Sequence, residues 1–275
     1  MIFIDMHVHS TFSDGVYSVE AIAKAAKMRN LSLVCLTDHD TTSGLVPFTA
    51  ACRRCGVNSL CGIELSAEAD YTLHILGYRI SPGSSELEKR LEDVRKHRDV
   101  RNAEICAKLR ALGMDIRLED AEALSGGEVV ARPHIARLMV KLGYVSSGNE
   151  AFAKYLDRNG SAYVPRVRLS AEECITLIRG AGGLPVLAHP PQTLLGADEL
   201  EKLVAKLKSV GLWGIESVYP GFSTTQIYDY LSLCDKYDMY PTAGSDFHGS
   251  AASGIGIGMA VGESFLPWAR LGIKI

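Results

Sequence analysis

Histidine and acidic residues recur along this sequence in short clusters whose spacing suits metal binding. His7 and His9 are separated by one residue, and Asp246 and His248 repeat that spacing. In an extended strand, residues i and i+2 point to the same side, so each pair can contact one ion. Imidazole and carboxylate groups together suit Zn²⁺, Fe²⁺ and Mn²⁺. The pattern therefore predicts a metal-dependent reaction.

Six of the eight histidines and three carboxylates make up the candidate ligand set. Three or four protein ligands per catalytic ion, with Glu64 as a bridging carboxylate, suffice for two or three divalent ions, which we expect to be Mn, Zn or Fe. A single zinc site would leave most of these side chains without an ion. The nine candidates are His7, His9, Asp14, His39, Glu64, His74, His189, Asp246 and His248.

The elements that must position these residues alternate between strands and helices. Apolar, β-branched runs predict strands at 2–8, 32–37, 58–65, 72–79, 184–188, 212–218 and 239–244, and helical periodicity predicts helices at 18–29, 42–55, 170–181, 198–210 and 223–237. This alternation predicts a mainly parallel sheet, for which closure into a barrel is a natural solution. Most candidate ligands follow the carboxyl ends of the strands, where α/β barrels carry their active sites.

One segment interrupts the alternation. Between Pro82 and Pro165 the sequence contains helical patterns, at 86–112, 133–142 and 149–159, and no convincing strand. We therefore expect residues 82–165 to form an inserted helical subdomain, with residues 1–81 and 166–275 forming the barrel that carries the metal centre.

Composition and charge limit the classes of function. The 275 residues carry 29 basic and 32 acidic side chains, a net charge of −3, which argues against an extended nucleic-acid surface. No apolar run is long enough to span a membrane, and the first residues lack the pattern of a signal peptide. The seven scattered cysteines favour reduced thiols. We expect a cytoplasmic protein without a membrane partner.

Five motifs in this chain together resemble one known family. They are HVHSTFSDG at 7–15, TDHD at 37–40, GIE at 62–64, AHP at 188–190 and GSDFHG at 244–249. As a set they are similar to the polymerase and histidinol phosphatase (PHP) superfamily of metal-dependent phosphoesterases. The resemblance implies a distorted (β/α)7 TIM-like barrel with a trinuclear metal centre. It also implies a grouping of ligands: His7, His9, Glu64 and Asp246 for one ion, Glu64, His74 and His189 for a second, and Asp14, His39 and His248 for the third.

Two segments of the insertion resemble the PHP proteins that act on nucleotides. These are ARPH at 131–134 and YVPR at 163–166. The resemblance implies that the insertion covers the metal centre and that Arg132, Arg166 and His134 contact phosphate, with His134 also able to protonate the leaving oxygen. The implied reaction removes the 3′-phosphate of a nucleoside 3′,5′-bisphosphate. A metal-bridging hydroxide would be the nucleophile, and Asp246 could assist as base.

Three alternatives remain open at this point. The same site could act as a 5′-3′ exoribonuclease on short 5′-phosphorylated RNA, or as a histidinol-phosphate phosphatase. The chain could also be a non-catalytic metal- or phosphate-binding module, although a complete ligand set argues against a decayed site. In the enzymatic cases the expected partners are a small nucleotide or short oligonucleotide substrate and a phosphate product.

Overall fold

A computed structural model describes residues 1–125, 130–165, 169–249 and 254–273. The strands are β1 (Ile2–Val8), β2 (Leu31–Leu36), β3 (Ser59–Ser66), β4 (His74–Tyr78), β5 (Leu184–Leu187), β6 (Gly214–Val218), β7 (Tyr240–Ala243) and β8 (Met259–Val261). The helices are α1 (Val19–Met28), α2 (Leu45–Cys55), α3 (Ser85–Ala111), α4 (Leu118–Ser125), α5 (Arg132–Lys141), α6 (Gly148–Ala151), α7 (Ala171–Gly180), α8 (Ala197–Ser209), α9 (Thr224–Lys236) and α10 (Trp268–Leu271). Every predicted strand is present to within two residues at either end.

The strands form one eight-stranded sheet in the order β7-β6-β5-β4-β3-β2-β1-β8. Neighbouring strands are parallel except at β4, which runs antiparallel to both β3 and β5, and at β8, which runs antiparallel to β1. The chain after β7 returns to β1, where the N–H of His9 donates to the carbonyl of Phe247 at 2.9 Å. The sheet is thus a nearly closed barrel, as the resemblance implied.

Local sequence explains where the outer helices begin. The hydroxyl of Ser18 caps α1 by accepting a hydrogen bond from the N–H of Ala21, and Ser170 and Glu173 form a capping box at the start of α7. The buried face of α1 comprises Val19, Ile22, Ala23 and Ala26, at the spacing of one helical stripe. This stripe packs in the main apolar core between the helices and the sheet.

A second apolar cluster lies entirely between residues 105 and 164, apart from the main core. The first half of α3 packs in the main core through Leu87 and Leu91, whereas its second half packs in this second cluster through Ile105 and Leu109. Helix α3 therefore connects the barrel with the helical segment predicted as an insertion. Within the described part of the chain, none of the helices combines the length and the apolarity that crossing a membrane requires.

Candidate metal centre and substrate cleft

The nine predicted ligands converge on one rim of the barrel. His7 lies in β1 and Glu64 in β3, and the loops that follow β1, β2, β5 and β7 carry further candidates. His74 is the exception in sequence terms, because it begins β4 rather than ending it. Since β4 is antiparallel to its neighbours, its first residue lies at the same rim as the last residues of β3 and β5.

Glu64 is fully buried at the centre of this cluster. Its Oε2 atom lies 3.2 Å from Nε2 of both His7 and His9, and 3.0 Å from Nδ1 of His39. Its Oε1 atom lies 2.8 Å from Nδ1 of His74 and 3.0 Å from Nε2 of His189. Each oxygen thus faces a separate group of ring nitrogens, which is the arrangement expected of a carboxylate that bridges two ions.

Asp246 and Asp14 extend the cluster on two sides. Oδ1 of Asp246 lies 3.2 Å from Nε2 of His7 and 3.1 Å from Nε2 of His9. Oδ1 of Asp14 lies 3.1 Å from Nε2 of His248 and 3.8 Å from Nδ1 of His9. Three groups have ligand atoms close enough to share an ion: His7, His9, Glu64 and Asp246; His39, Glu64 and His74; and His9, Asp14, His39 and His248.

These groups match the grouping implied by the resemblance in one case and differ in two. The group around His7 is the same, whereas His39 joins Glu64 and His74, and His9 joins the group of Asp14. His189 falls outside the three groups, yet its Nε2 lies 3.2 Å from Nδ1 of His74.

The charges of the cluster are strongly coupled. Burial opposes charge on His9, yet the nearby carboxylates of Asp246 and Glu64 raise the pKa of this imidazole to about 10. Burial also opposes the ionised form of Glu64, but His39, His7 and His74 hold the pKa of this carboxyl well below its usual range. The carboxylates therefore retain negative charge and require cations nearby, which protons or metal ions can supply.

Buried polar atoms that lack a hydrogen-bond partner indicate whether metal ions fit this cluster. Within the described part of the chain, six buried atoms of the cluster have no hydrogen-bond partner: Nε2 of His7, both ring nitrogens of His9, Nδ1 of His39, Nδ1 of His189 and Oε2 of Glu64. Leaving buried polar atoms unsatisfied costs about 1–3 kcal/mol each, so such atoms call for a ligand. The mixed nitrogen and oxygen donors suit divalent transition metals, so the residues present fit a metal centre.

Glu216 is a component of the centre that no sequence motif indicated. This fully buried residue of β6 contacts Nδ1 of His7 at 3.0 Å and accepts a hydrogen bond from the backbone N–H of His189 at 2.7 Å. A carboxylate bonded to the outer nitrogen of a ligating histidine fixes the ring's orientation. The available signal was a lone charged residue inside the apolar strand GIESV.

The backbone near the ligands is tightly constrained. Asp40, His189 and Asp246 have positive φ angles of 52°, 24° and 55°, a conformation that is unfavourable for residues other than glycine. Gly244 meets a different constraint, since a Cβ at this position would lie 2.7 Å from Oε1 of Glu216. The first glycine of GSDFHG is thus required by the close approach of β7 to the centre.

A cleft of about 920 Å³ lies between this rim and the helical segment. Its lining includes Asp14, His39 and His74 from the barrel, together with Arg132 and Phe152 from the helical segment. The Arg132 guanidinium donates to the carbonyl of Leu156 at 3.1 Å and lies 5.5 Å from the ring centroid of Phe152. These contacts hold the cation at the wall of the cleft.

His134 is fully buried at the start of α5. Its Nδ1 accepts a hydrogen bond from the N–H of Ala131 at 3.0 Å, so the ring hydrogen resides on Nε2, which has no partner. Burial and the charge of Arg137 lower the pKa of His134 to about 4. At neutral pH the ring is therefore an uncharged N–H donor. Arg166, the other predicted phosphate contact, lies outside the described residues.

Comparisons with known proteins agree with this geometry. The PHP domain family matches residues 5–132. A 3′,5′-nucleoside bisphosphate phosphatase from Chromobacterium violaceum is 33% identical over 257 residues, which cover 93% of this chain and 90% of that protein. The chain belongs to the PHP family of metal-dependent phosphoesterases.

Two further relatives support the membership in the PHP family. The 5′-3′ exoribonuclease Rnm of Escherichia coli is 30% identical over 277 residues, which cover all of this chain and 89% of that protein. A solved structure of an amidohydrolase from Chromobacterium violaceum with bound sulfate superposes with a TM-score of 0.87 at 31% identity. That match covers 98% of this chain and 95% of the other, so it includes the barrel and the helical segment alike.

Proposed function

We propose that this PHP-family phosphoesterase removes the 3′-phosphate of nucleoside 3′,5′-bisphosphates and leaves the nucleoside 5′-monophosphate. The observation that carries the proposal is the division of charge across the cleft. Histidines and Asp14 of the barrel line one side, whereas the arginines among the described lining residues all belong to 82–165: Arg98, Arg101, Arg132 and Arg158. Arg98 forms a buried ion pair with Asp40, so the other three are the candidates for a phosphate contact. A substrate with two phosphates can place one group at the histidines and the other against the arginines.

Residues 82–165 act in this proposal as a helical lid, and residues 1–81 and 166–275 form the barrel. The separate apolar cluster of residues 105–164 supports a lid with a core of its own. Its position across the cleft from the metal centre supports a role in enclosing a mononucleotide. The similarity to a bisphosphate phosphatase over 93% of the chain is consistent with this assignment.

The proposed metal centre holds two or three divalent ions of Mn, Zn or Fe. Glu64 would bridge them, His7, His9 and Asp246 would complete one site, and the remaining candidates would form the others, with His189 beside His74. Bound ions supply Lewis-acid polarisation of the phosphoryl oxygens and lower the pKa of bound water toward about 7.

The side chains of the chain supply binding and orientation. Arg132 offers a planar guanidinium to the phosphate oxygens, and His134 offers the hydrogen on Nε2 as a neutral donor. Although burial opposes the charge on Asp246, His7 and His9 hold the pKa of its carboxyl well below the usual range. Asp246 is therefore ionised, so it can bind an ion and accept a proton from the attacking water.

A comparison of three substrates tests this function. We expect phosphate release from adenosine 3′,5′-bisphosphate to show a higher kcat/KM than hydrolysis of a short 5′-phosphorylated oligoribonucleotide or of histidinol phosphate. A preference for the oligoribonucleotide would instead make the protein an exoribonuclease like its E. coli relative. Turnover of none of the three, with metal bound, would favour a non-catalytic module.

Arg132→Met tests the proposed phosphate contact, because it removes the guanidinium and keeps a long side chain that should preserve the fold. We expect KM for the bisphosphate to rise about tenfold or more, as for the loss of a charge-assisted hydrogen bond to phosphate. Lys141→Met is the matched control, because Lys141 lies on the same helix but is exposed and outside the cleft lining. An equal KM for both variants would exclude Arg132 as a phosphate contact.

The proposed location of this enzyme is the cytoplasm. All seven cysteines are free thiols, and five of them are buried. Free thiols persist in a reducing compartment, where disulfides are rare.

A further inference from the structure

Tyr219 directly follows β6, and its hydroxyl group lies at the metal centre although no motif indicated it. The hydroxyl donates a hydrogen bond to Oδ2 of Asp246 at 3.2 Å. The ring stacks on Phe222, with centroids 5.0 Å apart, and lies nearly perpendicular to the ring of His189, with centroids 6.3 Å apart. Packing on two sides therefore fixes the hydroxyl beside Asp246.

The two oxygens of Asp246 have different surroundings. Oδ1 faces Nε2 of His7 and of His9, at 3.2 and 3.1 Å, whereas Oδ2 faces the hydroxyl of Tyr219. Rotation about the terminal bond of an aspartate side chain is only weakly restricted. The phenol hydrogen bond therefore fixes the orientation of the carboxylate plane, with one oxygen directed toward the histidines.

Gln192 places this hydrogen bond next to the substrate cleft. It lies in the short helical turn after β5, lines the cleft, and its side chain neighbours the phenol of Tyr219. The contact between Tyr219 and Asp246 is therefore close to the cleft.

We propose that Tyr219 is a positioning residue for phosphoester hydrolysis, which holds Asp246 with one oxygen toward the ions and keeps the other out of the ion-binding space. The inference rests on the role as metal ligand proposed above for Asp246. Without the phenol, the carboxylate can turn both oxygens toward the ions or swing away from them. Either movement changes how firmly the ion near His7 and His9 is bound.

Tyr219→Phe tests the role because it removes the hydroxyl and keeps the ring that packs on Phe222. We expect kcat for the bisphosphate to fall by about tenfold or more with KM changed less than about twofold, in line with the loss of an outer hydrogen-bond partner of a metal ligand. We also expect Mn²⁺ affinity, measured by calorimetric titration of metal-free protein, to weaken by about tenfold.

Tyr230→Phe is the matched control. Tyr230 also contacts Phe222, with ring centroids 5.4 Å apart, and so belongs to the same aromatic cluster. Loss of its hydroxyl should leave kcat, KM and Mn²⁺ affinity unchanged.

Gln192→Leu changes an exposed side chain, so the fold should be retained, and we expect a smaller decrease in kcat than in Tyr219→Phe.

Two results would overturn the inference. The first is that Tyr219→Phe shows the same kinetics and the same Mn²⁺ affinity as the control Tyr230→Phe. The other is a rise in KM alone, which would make Tyr219 a substrate contact. The Mn²⁺ titration needs no substrate, so it separates failure of this inference from failure of the proposed substrate assignment. If the wild-type protein prefers another phosphoester, the same kinetic comparison applies to that substrate.

Discussion

At the scale of single residues, Glu64 is the carboxylate that contacts the most histidine rings of the centre. A fully buried carboxylate would be costly without compensating charge, and five imidazole rings surround this one. The cluster therefore acts as a unit, in which the charge of one group sets the charge of the others.

Glu64→Gln should abolish metal binding while nearly preserving side-chain volume. We expect activity to fall by more than about 100-fold, beyond the effect of losing an outer hydrogen-bond partner, and the metal content measured by elemental analysis to fall with it. Glu68→Gln is the control, because Glu68 is an exposed residue of the same segment and belongs to none of the three candidate ligand groups. Full metal content in Glu64→Gln would contradict the bridging role.

His134 predicts a pH dependence of stability. Its pKa of about 4 in the folded chain lies below the ordinary value of 6.5, because burial and Arg137 disfavour the charged ring. The unfolded chain therefore binds more protons between these values, so stability falls as pH decreases from about 6.5 to 4. His134→Gln removes this titration and keeps an amide donor. We expect the Tm of the wild type to decrease more than the Tm of the variant when the pH is lowered from 7.5 to 5. A constant difference would contradict a neutral buried ring.

At the scale of elements, α3 is tied to the loop that carries His39. Arg98 of α3 forms a buried ion pair with Asp40, whose carboxylate also accepts a hydrogen bond from the backbone N–H of Ser66 at 3.2 Å. The N–H of Asp40 donates to the carbonyl of Glu64 at 3.0 Å. One aspartate thus connects the helix with the loop that carries His39 and the strand that carries Glu64.

Arg98→Met leaves Asp40 buried without its cation. We expect the free energy of unfolding to decrease by roughly 3–5 kcal/mol, the usual cost of breaking a buried pair. Arg90→Met on the same helix breaks an exposed pair with Glu173 and should cost about 1 kcal/mol or less. Chemical denaturation of both variants measures the difference, and equal losses would contradict the connection between Arg98 and Asp40.

The sequence predicted the elements that carry strong local patterns. The strand ends with HVH, TDHD and GSDFHG were located correctly, because each apolar run ends where its polar cluster begins. Strand β8 and helix α10 were not predicted, since three or four residues form too short a pattern, and the eight-residue helix α4 was also missed. Glu216 and Tyr219 were missed for a different reason. Their roles depend on contacts with His7 and Asp246, which are remote in sequence.

At the scale of the whole molecule, the candidate ligands span the chain from His7 to His248. Every segment of the sheet except β6 and β8 supplies a ligand directly or through the loop that follows it, and β6 supplies Glu216. The centre can therefore form only when the barrel is assembled, so ion binding and folding must be coupled.

Mn²⁺ should raise the Tm of chelator-treated protein. An ion present at 100 times its Kd adds about 2.7 kcal/mol, or roughly 5–10 °C for a chain of this size. Thermal unfolding with and without Mn²⁺ measures the shift, and Glu64→Gln should show little of it. A shift of equal size in Glu64→Gln would indicate binding elsewhere.

The neighbouring positions of β4 and β5 in the sheet have a consequence for the evolution of such enzymes. Tyr78 and Leu184 are paired in the sheet, so the chain leaves the barrel and returns to it at adjacent points. The entropy of closing a loop grows slowly with its length, by about 0.6 kcal/mol per doubling. Duplication, shortening or exchange of the intervening segment therefore leaves the barrel's strand pairing intact. Substrate range can diverge in this way while the hydrolytic chemistry is inherited unchanged.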